Sequence, residues 1–206
     1  MLRPLPALLA AALLSGCAAI GSLNSAAAAL DAFELRAPAG LPVAGSSQAI
    51  DFIVELPSAA GAIDTDRILV RPTPVQVAYL PDARWTAAAP VMLQSAMVEA
   101  FLRTNAFRFV GRRPLAASGD VALVSDLVDF GAVVSGDGAV IQVTLVARLV
   151  REEDAAITAT RTFTRSVPVP DTRSATIIAG YEAATGAIIA DVAGWVLASR
   201  GVRGTS

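Results

Sequence analysis

The sequence predicts an α+β domain: a mixed, largely antiparallel sheet with a β-meander in its C-terminal half, covered on one face by two helices. Three long segments, at 120–134, 138–150 and 157–169, alternate apolar and polar residues as strands do. Two others, at 86–104 and 174–198, repeat apolar residues at helical spacing. Helical rows of this kind need an apolar surface to cover, and the alternating strands supply it.

The chain begins with the pattern of a secretory signal. Arg3 supplies positive charge, residues 4–14 are apolar, and small residues precede Cys17. The apolar run is too short to span a membrane as a helix. Cys17 is the only cysteine and the chain contains no histidine. An intrachain disulfide is therefore excluded, and a zinc site or a catalytic Cys–His pair lacks its other residues.

The sequence LLSGC, at 13–17, resembles the lipobox of bacterial lipoproteins. The resemblance implies cleavage before Cys17, followed by acylation of its thiol and of the new amino group with chains such as palmitate. Several acyl chains anchor a protein firmly, whereas one holds it only marginally. Residue 18 is Ala rather than the Asp that retains many lipoproteins at the inner membrane, which implies the outer membrane, with the body in the periplasm. The alternative is an ordinary signal peptide with an incidental cysteine.

Chain length, the N-terminal motif and the positions of proline and glycine divide the chain into four parts. We expect a signal peptide at 1–16, a lipidated N-terminus and tether at 17–46, one domain at 47–200 and a tail at 201–206. The tether contains a short extended segment near Phe33, and proline and glycine then mark a loop.

The first half of the domain contains short strands. Alternation and flanking prolines predict them, and the second and third are expected to be joined by a tight turn, with a bend as the alternative. They lie at 49–57, 66–72, 75–80 and 106–111.

Between the third of these strands and the helix at 86–104, we expect the stretch Tyr79 to Trp85 to be a loop. Thr86 can cap the helix, and Pro90 is tolerated in its first turn. Tyr79, Arg84 and Trp85 are residue types enriched at binding hot spots, so we predict a partner contact there. The alternative is that Trp85 packs the start of the helix onto the sheet.

The sequence of the second half of the domain predicts a β-meander followed by a long helix. An Asp-Gly turn at 137–138 favours a hairpin between the first two long strands. The helix at 174–198 is long enough to span a membrane, but Glu182 and Asp191 lie inside it and favour a buried amphipathic helix. Its glycines weaken it and would allow close approach to the sheet.

The composition indicates a binding protein rather than an enzyme. No Ser-His-Asp triad can be built and no P-loop is present. Asp126 and Asp129 are expected on opposite faces of one strand, so they could not act together in acid–base catalysis. The formal net charge is −2 and the arginines are scattered, which disfavours nucleic-acid binding. We therefore expect no catalytic residue, metal or cofactor.

The order of the elements is more specific than any one motif. The lipobox and Phe33-x-Leu35 are followed by Arg71-Pro72 and by YLPDARWTAAAP at 79–90. Later come Asp129-Phe130, TRTFTRSVPV at 160–169, and a final helix with GWVL at 194–197. This order resembles the ABC-type transport auxiliary lipoproteins, a family that includes the outer-membrane lipoprotein of the paraquat-inducible transport system.

The resemblance implies a non-catalytic role beside an ABC system that moves lipids between membranes. The implied partners are the membrane, through the lipid anchor, and a subunit carrying mammalian-cell-entry (MCE) domains. Self-assembly into a homo-oligomer is left open. Two alternatives are a periplasmic lipid carrier and a structural lipoprotein that binds an outer-membrane assembly, and a hydrolase is the least favoured.

Overall fold

The structure is a computed structural model, and it describes residues 30–113 and 119–199. Cys17, the signal peptide and the tail at 201–206 lie outside the described residues. The compact unit begins at Ala32, so the end of the segment that we assigned to the tether is packed against the domain. Leu35 and Ala37 are buried there. This packing could not be predicted from the sequence, because prolines and glycines interrupt the periodicity of the segment.

The described residues form one nine-stranded sheet with two helices, which confirms the predicted α+β class. The helices are α1 (Ala89–Thr104) and α2 (Ser174–Ala198). The strands are β1 (Asp31–Phe33), β2 (Gln48–Val54), β3 (Ser58–Ala59), β4 (Arg67–Arg71), β5 (Ala78–Trp85), β6 (Phe107–Gly111), β7 (Val121–Ser135), β8 (Gly138–Arg151) and β9 (Ala156–Val169).

The long strand β7 organises the sheet. Along one edge it pairs in parallel with β2, β3 and β4 in turn, and β6 and the antiparallel β5 extend this side. Along the other edge it pairs with β8, which pairs with β9, and both pairings are antiparallel. The predicted meander is therefore confirmed, including a two-residue turn between Ser135 and Gly138.

Both helices pack on the same apolar side of this sheet. The predicted row of α1, Leu93, Met97 and Phe101, is buried. In α2, Ile177, Tyr181, Ile188 and Val192 are fully buried, and the helix packs mainly on β8 and β9. It is long and apolar enough to cross a membrane, but half of its most apolar window is buried inside the domain. Its packing is that of a core helix, as the two internal carboxylates predicted.

Each helix meets its own group of aromatic rings. Phe101 of α1 and Phe107 of β6 pack against Phe52 of β2. Their ring centroids lie 4.8 and 4.4 Å, respectively, from the centroid of the Phe52 ring. Below α2, Tyr181 lies 5.4 Å from Trp85 and 4.7 Å from Phe130. Aromatic pairs of this geometry add stability beyond the area that they bury. Residues from both halves of the chain therefore meet in the larger hydrophobic core.

The start of α1 differs from the prediction. The helix begins at Ala89, with Ala88 as its N-cap and no side-chain capping bond. Thr86 does not cap it, because it lies three residues before the first helical residue, where its backbone amide donates to Phe33 O of β1 at 2.9 Å. Proline in the first turn is confirmed at Pro90. The pairing of Thr86 with a strand from outside the predicted domain displaced the helix by one turn.

The prediction for Asp126 and Asp129 was wrong. The β7–β8 register shifts between Leu127 and Asp129, leaving Val128 as an extra residue. A bulge of this kind reverses the alternation beyond it. Asp126 and Asp129 now pair with Val146 and Thr144, which share one face of β8, so both carboxylates lie on the sheet face opposite the helices.

Candidate interaction site

The residues predicted to contact a partner lie on strand β5, not in a loop. Prolines at 72 and 74 start the turn, and β5 then continues through Pro81 to Trp85. Pro81 is tolerated because it lies where the β4–β5 register shifts, between the pairs Leu69–Tyr79 and Arg67–Arg84, and prolines in sheets are found at such irregular positions. The stretch therefore alternates: Ala83 and Trp85 point into the core, whereas Arg84 is exposed.

Trp85 is a core residue. Its side chain is 1% exposed and packs against Tyr181 and Phe130. Its backbone amide donates to Asp66 O at 2.7 Å. The structure therefore favours the alternative reading, in which Trp85 fixes the chain ahead of α1 onto the sheet. A partner could not reach this indole without opening the domain.

Tyr79 and Arg84 remain accessible, and β4 adds a third residue beside them. Arg67 lies opposite Arg84 in the β4–β5 register, and its guanidinium sits 4.6 Å from the centre of the Tyr79 ring. Arg84 lies 3.4 Å from the Asp66 carboxylate. We call Arg67, Tyr79 and Arg84 the β4–β5 patch. It presents one aromatic ring and two arginines, and tyrosine and arginine are among the residue types that carry most binding energy at interfaces.

Sequence reasoning missed Arg67 because its position depends on strand register. With the third short strand expected to end at residue 80, nothing placed Arg84 opposite residue 67. The β4–β5 pairing also shifts between Arg67 and Leu69, so counting back from the turn would have given the wrong partner. The available signal was the alternation of Ala83 and Trp85 with Arg84, which continues the strand past Pro81.

Arg71 and Asp129, which are far apart in the sequence, meet on the helix-free face of the sheet. The Arg71 guanidinium lies 2.9 Å from the Asp129 carboxylate. It lies across Gly131, where a Cβ would stand 2.0 Å from its Nη1 atom, so a larger residue there would displace the guanidinium from this position. The ion pair links the end of β4 to the bulged part of β7.

Asp126 is held by a second group on this face. It accepts hydrogen bonds from the Ser58 hydroxyl and from Arg148, the latter at 2.6 Å. The Ser58 bond, then the Arg148 bond, hold the pKa of Asp126 below its usual range. A carboxylate kept ionised by a serine and an arginine is a poor general base. This arrangement indicates a structural ion pair.

A cleft of about 260 Å³ lies between the N-terminal segment and α1. An ion pair along α1 lies there, with Arg103 2.5 Å from Glu99, four residues earlier on the helix. Arg103 also donates to the carbonyl oxygens of Ala37 and Pro38 at 3.4 Å. The cleft walls carry Glu34, Arg36, Glu99 and Arg103, so the cleft is polar. Across residues 30–113 and 119–199, no group of three or more metal-ligating side chains occurs.

The comparisons with known proteins agree with the resemblance in the sequence. The family model for the ABC-type transport auxiliary lipoprotein component matches residues 33–193. The chain belongs to this family. As its description states, members are auxiliary components of ABC-type transport systems and are lipoproteins, so the family works beside a transporter in the cell envelope. A comparison with curated proteins gave no significant match.

Two solved structures show the same fold. The Xanthomonas campestris protein XCC0632, described as a DUF330 protein, is 30% identical, with a TM-score of 0.74 over 84% of this chain and 97% of that one. A second, uncharacterized protein is 11% identical, with a TM-score of 0.58 over 81% of this chain and 98% of that one. The auxiliary lipoprotein therefore shares the whole of its domain with these neighbours.

Proposed function

We propose that this auxiliary lipoprotein is anchored in the outer membrane through Cys17 and serves, without catalysis, an MCE-type ABC system that carries lipids between the membranes. The match of the family model over residues 33–193 carries the proposal. LLSGC at 13–17 supports the anchor, and Ala18 supports the outer membrane as its destination. The domain holds the periplasmic subunit of the transporter at that membrane.

The β4–β5 patch is the surface that we assign to the MCE-domain subunit. It is accessible and combines two guanidinium groups with one aromatic ring, as described above. The lipid-carrier alternative is less well supported, because an acyl chain requires an apolar cavity, whereas the cleft beside α1 is lined by four charged residues.

Fractionation of cells tests the anchor. The Cys17→Ser variant should leave the membrane fraction, because it can no longer be acylated. The matched Ala18→Asp variant should stay lipidated but move to the inner membrane on a density gradient. If Cys17→Ser remains as firmly bound as the wild type and residue 17 carries no acyl mass in the wild type, the anchor is refuted. An unchanged gradient position for Ala18→Asp refutes the sorting argument alone.

Capture of the MCE-domain subunit tests the patch. Tyr79→Ala and Arg84→Ala should each weaken capture about tenfold or more, as expected for hot-spot residues. Arg84→Ala, at an exposed position, should do so with an unchanged melting temperature. Arg151→Ala is the matched control, because Arg151 is similarly exposed and lies the same 3.4 Å from Asp154 as Arg84 does from Asp66. Equal capture by all variants places the contact elsewhere. No capture by the wild type favours the structural-lipoprotein alternative.

A further inference from the structure

Strand β9 is an open edge of the sheet. It pairs with β8 from Ala139 to Arg151, and no other described strand pairs with it. In an antiparallel pair, residues alternate between bonding the neighbour and pointing away from it. Roughly half of the 14 residues of β9 therefore direct their backbone N–H and C=O groups toward the open side. A row of this kind is a template for another strand.

Breaks in the regular backbone pairing occur near the two ends of this edge. Near its start, Ala159 pairs with Leu149 and Ile157 pairs with Val150, so Thr158 is an extra, bulged residue. Near its end, Pro168 lacks a backbone donor. Bulges and prolines are the usual means of blocking strand addition. Between them, 159–167 keeps a one-to-one register with β8, which leaves a regular edge about nine residues long.

The side chains along this edge favour an acidic segment. On the helix side, Arg165 is paired with Asp191 of α2. Arg161 on the same side is exposed, lies 5.2 Å from the Phe163 ring centre, and has no ion-pair partner within the described residues. Strand β9 contains no Asp or Glu. An added strand with a carboxylate beside Arg161 would supply the missing opposite charge.

A second copy of β9 fits this edge poorly. Two β9 strands in antiparallel pairing would bring both copies of Arg161 and Arg165 to the same side of the joint. Within the described residues, each Arg165 is paired with the Asp191 carboxylate of its own copy, and β9 itself supplies no carboxylate for Arg161. Like charges on neighbouring strands are destabilising. Charge complementarity thus selects a different polypeptide.

We propose that residues 159–167 of β9 bind an extended acidic segment of a partner protein, which adds to the sheet as a further antiparallel strand. Backbone hydrogen bonds would supply most of the affinity, as in other cases of strand addition. Arg161 would select a carboxylate on the helix side, and the exposed Thr160, Thr162 and Thr164 would face small or β-branched residues on the other side. This surface is distinct from the β4–β5 patch and does not depend on the transport role.

The test uses the full chain in detergent and three synthetic peptides. The first is a nine-residue peptide of alternating threonine and valine with one central glutamate; the second has lysine there; the third is the first with N-methyl groups on alternate amides. The first peptide should protect alternate amides of 159–167 from hydrogen exchange. The lysine peptide should bind about two- to fivefold more weakly, as expected for one exposed ion pair. The N-methylated peptide should give no protection.

Charge reversal completes the design. Arg161→Glu should exchange the preference between the glutamate and lysine peptides, whereas the control Arg151→Glu, at the exposed end of β8, should leave it unchanged. Absence of alternate-amide protection overturns the proposal, as does equal binding of the N-methylated peptide. Equal affinity of both charged peptides for the wild type overturns the acidic preference. Protection of the same amides without peptide, with twice the expected mass, identifies a second copy as the occupant and also overturns it.

Discussion

The buried hydroxyl of Tyr181 offers the sharpest test of how the two halves of the domain are joined. Tyr181 lies on α2, is fully buried, and donates its hydroxyl hydrogen to Leu69 O of β4 at 2.6 Å. Leu69 immediately precedes Val70, where β4 begins to pair with β7 through Ala132. The phenol therefore ties the C-terminal helix to a strand from the first half of the chain.

Tyr181→Phe removes this donor and leaves the ring in place. A buried carbonyl that loses its partner costs about 1–3 kcal/mol. For a domain of this size, 1 kcal/mol shifts the melting temperature by about 2–4 °C, so we expect a fall of roughly 4–8 °C for a loss of ~2 kcal/mol. Thermal and urea unfolding, followed by circular dichroism, would measure it.

Tyr79→Phe is the matched control, because Tyr79 is the only other tyrosine. Its hydroxyl is partly exposed and lies 3.5 Å from Ala62 O, at the limit of a hydrogen bond. The control should change the free energy of unfolding by less than about 0.5 kcal/mol. Equal effects of the two substitutions, or none at position 181, would refute the reasoning.

Alkaline pH should reduce the difference in free energy of unfolding between the wild type and Tyr181→Phe. Burial raises the pKa of Tyr181 far above its ordinary value. The phenol thus stays protonated in the folded state, while in the unfolded chain it ionises above about pH 10. The unfolded wild type then binds fewer protons than the folded protein, so the contribution of Tyr181 to stability falls as pH rises. At pH 11 the difference in free energy of unfolding between the two proteins should be about 1.4 kcal/mol smaller than at neutral pH.

Three further substitutions test the packing and the ion pairs. Gly180→Ala should lower the free energy of unfolding by about 1–3 kcal/mol, because a Cβ there would stand 2.6 Å from Ile141. Gly194→Ala should raise it by about 0.5–1 kcal/mol, because a Cβ at position 194 meets no other atom and alanine favours the helix. Urea titrations would measure both changes. Trp85→Ala should cost about 3–5 kcal/mol and lower the melting temperature more than Trp195→Ala, since Trp195 is only partly buried. Asp126→Asn should lower the melting temperature at pH 7. This difference should begin to shrink below about pH 4 and should shrink further as pH falls through the lowered pKa of Asp126, because Asp126 stabilises the folded state in this way only while its carboxylate is ionised. An unchanged difference at pH 3 would show that Asp126 acts by packing alone.

The helices and the meander could be predicted because their signals are local. Helix α2 has the predicted bounds, 174–198, and its apolar spacing survives in the buried positions. The two-residue turn before Gly138 fixes the β7–β8 register without any distant contact. Of the glycines in α2, only Gly180 allows a close approach to the sheet. Which glycine does so depends on the rotation of the helix over β8, and spacing alone does not fix it.

The candidate site could be predicted only in part, because it depends on pairing between distant residues. The types of Tyr79 and Arg84 indicated a surface, but Arg67 joins them through an irregular register. Trp85 was assigned to the same surface because the strand was expected to end too early. Asp126 and Asp129 share a face only because of a bulge, and nothing in the local alternation marks the extra residue.

The topology keeps the two proposed contact surfaces apart. The β4–β5 patch lies on the side of β7 that pairs in parallel with the early strands, and the open edge of β9 lies on the antiparallel side. The two surfaces share no residue, and the core beneath both helices is occupied by aromatic and aliphatic side chains. Because distant sites without common partners contribute additively, a contact at one surface need not weaken a contact at the other. A lipid-anchored auxiliary component needs this property if it is to hold a transporter subunit while the rest of its surface binds a second protein.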